Sequence, residues 1–263
     1  MENGPEDIIS TTLPLRCAGL SNVGKVREEN EDTFLMDPEL GLFVVSDGMG
    51  GHRGGEIASK IVTEDLPVMI EVGLDKLKVG TPAAIRNLFK KAISEQSRQL
   101  NLEQTSETGF KDMGATLVVA LLKKDRAYIA NLGDSRIYRF RNRRLVQLTK
   151  DHSVVSELLD RGKIKPEEAE NHEAQGEITH YVGMEDKARP HIRSFQLKKG
   201  DRLLLCTDGL TDSINNKTIT AILAKNQQCK EACQTLVDAA NGAGGHDNIT
   251  VVIADWLNNP KTV

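Results

Sequence analysis

Three stretches of the chain repeat apolar residues with the period of a helix. After Thr81-Pro82, a capping residue followed by a first-turn proline, Ile85, Leu88, Phe89, Ala92 and Ile93 recur at i, i+3, i+4, i+7 and i+8. From Gly55 the same spacing runs through Ile57, Ile61 and Val62 and is expected to end or kink at Pro67. Ala232, Leu236, Val237 and Ala240 repeat it ahead of Gly242. Each apolar stripe needs a sheet or another helix to cover it.

Shorter apolar runs predict strands over 41–46, 115–122, 126–132, 136–140, 144–148, 202–207 and 249–254. Asp125 and Asn142 stand in gaps too short for anything but hairpin turns, so the strands on either side must be antiparallel. A regular strand-helix-strand alternation is missing, which points to an α+β fold with helices packed outside antiparallel sheets. Between 151 and 190 the chain turns polar and dense in charge. Ser153 is placed to cap a short helix closing at Gly162, and a second begins near Pro166. Such a long polar segment reads as a surface flap beside a site. With no repeat or linker, the expectation is a single domain over 1–263, with its core at about 17–254 and the flap at about 151–190.

Composition narrows the function. The 263 residues carry 34 Lys+Arg against 38 Asp+Glu, a formal net charge of -4. That balance argues against a general nucleic-acid binder, whose affinity rests on basic residues meeting phosphates. The one dense basic run, Arg139 to Arg144, reads first as a solvated hairpin. No apolar run approaches the roughly 20 residues of a membrane span. Residues 1–10 have neither the basic end nor the apolar core of a secretory signal, so a cytoplasmic protein with no membrane partner is expected. Cys17, Cys206, Cys229 and Cys233 are scattered and suggest no zinc or disulfide framework.

The informative feature is where aspartates sit. The strand run 42–46 leads straight into Asp47-Gly48, and 202–207 leads into Asp208-Gly209. Asp134 follows 127–133, and Asp247 stands just before 249–253. Singly, each is ordinary turn chemistry. Gathered on one rim, the four carboxylates would repel unless a cation neutralised them. Oxygen donors without a histidine-cysteine set favour Mg2+ or Mn2+ over zinc. Gly48, without a side chain, lets its carbonyl approach a metal closely. The glycine-rich run from Gly48 to Gly55 lacks the Lys-Ser/Thr ending of a P-loop. Upstream, Glu31 and Asp32 are suited to hold metal-bound water, and Arg27 to grip a phosphoryl group with two prongs.

Arg27-x-x-Asn30-Glu31-Asp32, Ser46-Asp47-Gly48-Met49-Gly50-Gly51, Asn131-Leu132-Gly133-Asp134-Ser135-Arg136, Thr207-Asp208-Gly209 and Asp247-Asn248 resemble, in order, the motif series of the metal-dependent type 2C protein phosphatases. Leu148-Thr149-Lys150-Asp151-His152-Ser153 resembles an element of the compact bacterial branch. The likeness extends from about 17 to 254 and implies a sandwich of two antiparallel sheets flanked by helix pairs. It implies a serine/threonine phosphatase in which hydroxide bridging two Mn2+ or Mg2+ ions attacks phosphorus directly. Asp47 would bridge the metals, Gly48 would offer its carbonyl, and Asp208 and Asp247 would complete one shell. Asp134, helped by Asp208, would hold a third and weaker metal, Glu31 and Asp32 would act through water, and Arg27 would bind phosphate. Partners would be phosphorylated proteins, the products of serine/threonine kinases, met by a monomer.

Two departures from the family pattern bear on chemistry. Met49 stands where distant eukaryotic relatives carry a histidine, leaving nearby His52 as a candidate leaving-group acid or substrate contact beside its plainer reading as a loop residue. The flap reads Gly176-Glu177-Ile178-Thr179-His180-Tyr181-Val182-Gly183 where many bacterial members have an Asn-x-Ile-Thr-Arg-Ala-Leu-Gly-like run, which affects substrate preference rather than metal ligation. The rival readings are a phosphatase of small phosphorylated metabolites and a non-catalytic module of the same fold.

Overall fold

The computed structural model describes residues 6–50, 54–104, 113–169 and 172–257. Two antiparallel sheets form its centre. In the first, the strands lie in the order Ile8–Ile9 (β1), Leu15–Asn22 (β2), Ile249–Trp256 (β12), Arg202–Cys206 (β11), Arg136–Arg141 (β8) and Arg144–Gln147 (β9). In the second the order is His191–Gln196 (β10), Arg126–Leu132 (β7), Leu117–Lys123 (β6), Leu42–Met49 (β4) and Asp32–Asp37 (β3), and Gly114–Ala115 (β5) pairs with the end of β4.

The period-2 geometry of these strands explains the layers. On β4, Phe43 and Val45 point between the sheets, where they meet Val118 and Ala120 of β6 and Leu203 and Leu205 of β11. Leu42 and Val44 point outward onto the helices Gly54–Asp75 (α1) and Pro82–Gln104 (α2), through Val62, Leu66, Phe89 and Ile93. On the first sheet, Leu204 and Cys206 face Asn216–Lys225 (α6) and Cys229–Gly242 (α7). Covered on both faces, the central strands are apolar at nearly every position rather than at alternate ones. The α+β class and the sandwich flanked by helix pairs hold.

Several elements depart from the sequence reading. Of the two outcomes expected at Pro67, an end or a kink, the end does not occur, since α1 runs on to Asp75. Proline in a helix interior costs about 3 kcal/mol, and here Val62, Leu66 and Ile70 bury their side chains completely on both sides of it. Packing outweighs the local penalty. The strand expected over 115–122 is broken at Thr116, whose N–H turns to the carbonyl of Asp47 at 2.8 Å. Strands β2, β3 and β10 were not expected at all. β3 and β10 are edge strands with mostly half-buried side chains, so neither carries a continuous apolar run. Nor were α6 and the short helix Asp208–Thr211 (α5) anticipated.

The hairpin reading of the basic run holds, with Asn142 and Arg143 both at positive φ in a two-residue turn. Its arginines are not simply solvated, since Arg141 pairs with buried Asp201 and Arg139 lies 5.6 Å from the ring centre of Phe195. The four cysteines are free and buried. The segment 151–190 leaves the sheets as Val154–Asp160 (α3) and Pro166–Ala169 (α4), with Ser153 capping α3 by accepting the Ser156 N–H. Its two roots are pinned together where Val154 N–H donates to Glu177 O and Thr179 N–H to His152 O. No helix among the described residues is long and apolar enough to cross a membrane.

Phe43 lies in the layer between the sheets with no solvent exposure. Phe43→Ala is expected to cost about 3–5 kcal/mol of stability, read as a lowered denaturation midpoint with an unchanged slope in urea.

Candidate metal centre

Strand register alone brings the motif residues to one end of the sandwich. Cys206, the last residue of β11, pairs with Val251 near the start of β12 and with Arg136 at the start of β8. Asp208, Asp247 and Asp134 therefore emerge together from the first sheet. In the second sheet Asp32 and Asp47 are directly opposed across β3 and β4, so their side chains share a face. The two sheets are joined at this end by a hydrogen bond, 2.9 Å from the Thr207 hydroxyl to Asp32 Oδ2.

Each carboxylate is held from behind. Asp47 N–H donates to Thr116 Oγ1 at 3.0 Å, and that hydroxyl also contacts the Ser135 hydroxyl at 2.7 Å, tying the turn that carries Asp134 to the end of β4. Gly133 in that turn has φ +107, and a side chain there would meet Thr116 at 2.8 Å. Gly48 is needed for a different reason. A Cβ at this position would lie 2.0 Å from the Gly55 carbonyl, so only glycine lets α1 start against the strand. Gly48 N–H in turn donates to Glu31 O at 3.1 Å.

Asn248 organises the remaining wall. Its Oδ1 accepts the Glu31 N–H at 2.8 Å, and its Nδ2 donates to the carbonyls of Val23 and Glu29, both at 3.0 Å. The loop bearing Arg27 and Glu31 is thereby fixed beside Asp247. Arg27 is exposed and its Nη2 lies 2.9 Å from Asp247 Oδ2.

The electrostatics are those of like charges held together. Desolvation, and then the charges of Asp32, Asp208, Asp134 and Asp247, lift the Asp47 pKa well above its ordinary value. Burial and the charge of Asp208 push Asp134 up to about 8. Burial also raises Asp32 to about 7, against the pull of hydrogen bonds from Thr250 and Thr207. Asp208 rises to about 6 through burial and the charges of Asp212 and Asp247, although a hydrogen bond with Asp47 opposes the shift. Glu31 is raised as well, mainly by desolvation.

Buried oxygens of Asp32, Asp134 and Asp208 have no hydrogen-bond partner. An orphaned buried carboxylate oxygen is costly, and oxygen donors of this kind suit hard cations. Among the described residues, no three His, Cys, Asp or Glu side chains already close into a ligand cluster. The convergence is of strand ends.

His52 lies outside the described residues. Asp212, to which the sequence reading gave no role, stands one helical turn after Asp208, and its N–H donates to Asp208 O at 2.8 Å. Its carboxyl group is raised by burial, with Arg136 opposing. The i, i+4 spacing of Asp208 and Asp212 was a usable signal. Asn248 was visible as a motif residue, but its three bonds depend on a loop more than 200 residues away in sequence.

A family model described as protein phosphatase 2C matches residues 25–248. The chain is 35% identical over 235 residues to the serine/threonine phosphatase stp of Listeria welshimeri, covering 88% of this chain and 92% of that protein. The crystal structure of the serine/threonine phosphatase PstP/Ppp of Mycobacterium tuberculosis is 34% identical with a TM-score of 0.78, covering 93% of this chain and 99% of that one. A structure of the PstP catalytic domain in complex with two manganese ions is similar at 33% identity and a TM-score of 0.76, over 93% of this chain and 99% of that one. A match of this extent shows that the chain belongs to the protein phosphatase 2C family.

Proposed function

We propose that this chain is a metal-dependent protein phosphatase that hydrolyses phosphoserine and phosphothreonine monoesters. The observation that carries the reading is the set of buried, unpartnered aspartate oxygens at the end of the sandwich, beside an exposed arginine. Asp47, the Gly48 carbonyl, Asp208 and Asp247 would hold two divalent cations, Mn2+ or Mg2+, with Glu31 and Asp32 engaged through water. Asp134, with Asp208 and Asp212, would hold a third. Two manganese ions in the PstP structure support this reading. Bound there, such ions supply a lowered water pKa and a clamp on the in-line displacement at phosphorus.

The chain's own groups do the rest. Asp47 and Asp208, whose pKa values are raised in the empty site, would be held as carboxylates by a bound cation. Arg27 now spends its charge on Asp247 in an exposed pair, a kind worth little in water. Once Asp247 turns to a cation, the guanidinium is free to grip two equatorial oxygens of the phosphoryl group and stabilise the charge that grows on them. Thr116, Thr207 and Asn248 keep the carboxylates and the Arg27 loop in position through the bonds described above. No cysteine nucleophile is required, and burial pushes the Cys206 thiol up to about 12, away from thiolate chemistry. The substrates would be proteins phosphorylated by serine/threonine kinases, met in the cytoplasm by a monomer.

Three outcomes test this. Asp47→Asn, Asp208→Asn and Asp247→Asn should each lower Mn2+-supported kcat on a phosphothreonine peptide by at least about 100-fold with the circular dichroism spectrum retained. Wild-type activity in any of them would remove that residue from the centre. Arg27→Ala should raise KM for the peptide severalfold, and an unchanged KM would end its phosphate role.

The third outcome concerns stability without metal. Asp32, Asp47, Asp134 and Asp208 keep protons in the folded state that the unfolded chain loses near pH 4, so their contribution to stability is present below that pH and lost as pH rises toward about 8. In EDTA, Asp47→Asn should therefore raise Tm at pH 8, with the gain shrinking toward pH 5. A gain that is absent at pH 8, or larger at pH 5, would contradict the repulsion.

A further inference from the structure

Next to the candidate metal centre a cleft of about 680 Å3 opens between residues of 151–169 and 175–176 on one side and the helices α5 and α6 on the other. Asp134 and Asp208 form its inner end, so it is continuous with the centre. Its volume lies within the roughly 300–1,000 Å3 of pockets that bury a whole ligand, far more than a phosphoryl group occupies. One wall is apolar, made of Val155, Leu159 and Ala169, and the other carries the polar side chains of Asn215, Asn216 and Lys217.

The charges along this cleft sort by partner. Arg136 is taken by Asp151, at 2.7 Å, and Lys150 by Asp160. Asp134, Asp208 and Asp212 face the cation end. Lys217, which also lines the cleft, is an exposed cation with no ion pair among the described residues lining it. It stands in the first turn of α6, a turn without an acidic residue, where the helix dipole disfavours a positive charge. Helix stability is thus no reason for a lysine here. The cap is supplied separately by Asn215, whose Oδ1 accepts the Thr218 N–H at 3.0 Å.

Resting on the phosphatase reading, we infer that this cleft seats the substrate's polypeptide on one side of the phosphorylated residue, and that Lys217 selects an anionic side chain several positions away. The apolar wall covers the peptide's aliphatic surface. Amide side chains such as Asn216 and Gln175 offer bonds to its main chain. A small phosphate ester reaches the metals without touching Lys217.

The test uses phosphothreonine peptides carrying Glu or Lys at successive positions on either side of the phosphoresidue, with p-nitrophenyl phosphate as the short substrate and Mn2+ present throughout. In the wild type one register should favour Glu over Lys by about fivefold in kcat/KM, the equivalent of ~1 kcal/mol for a favourable exposed pair. Lys217→Ala should flatten that preference and Lys217→Glu should reverse it, while p-nitrophenyl phosphate turnover stays within twofold in all three proteins. The same Glu preference in every variant, or no charge preference in a wild type that turns over p-nitrophenyl phosphate, would overturn the assignment of Lys217. Failure of the wild type to hydrolyse any phosphate ester would instead overturn the phosphatase reading on which it rests.

Discussion

The mutual repulsion of aspartates at one end of the sandwich is the constraint around which the structure is arranged. Buried like charges do not gather unless the fold compels them, and compulsion is visible at every position. Asp32 and Asp47 are forced together by strand register, Asp134 by a turn at positive φ, and Asp208 by the start of a helix directly after a fully buried strand. None of these positions can relax without breaking a ladder or a buried contact. The repulsion stored in the cluster weakens the fold, and a cation held by these residues, as proposed, would release it.

Around the cluster, neutral hydroxyl and amide groups do the holding. Thr116, Ser135, Thr207 and Asn248 add no charge to the site, yet each joins two segments that are far apart in sequence. A lysine or arginine in their place would neutralise the carboxylates and compete with the cations. A support made of uncharged donors leaves the carboxyl groups free of a competing positive charge.

What was legible in the sequence and what was not divide along physical lines. The central strands announced themselves because they are covered on both faces, which makes 42–45 and 203–206 continuously apolar. The edge strands β3 and β10 did not, because half-buried side chains leave only a weak pattern. Pro67 does not end its helix because local propensity gives way to packing on both sides of it. The aspartates were found through their positions at strand ends and the motif order. Asp212 and the clamp made by Asn248 were not, since their parts in the site depend on which distant segments the fold brings beside them.

The clamp has a consequence for how the protein comes into being during synthesis. Asp247 and Asn248 sit just ahead of β12, which fills the place between β2 and β11 in the first sheet. Until that strand has left the ribosome, the loop bearing Arg27 lacks the Asn248 clamp and one carboxylate is absent. At translation rates of about 5–20 residues per second, the earlier segments wait many seconds for their partner. A nascent chain therefore carries most of the acidic cluster while lacking the completed centre, and activity begins only when the fold closes.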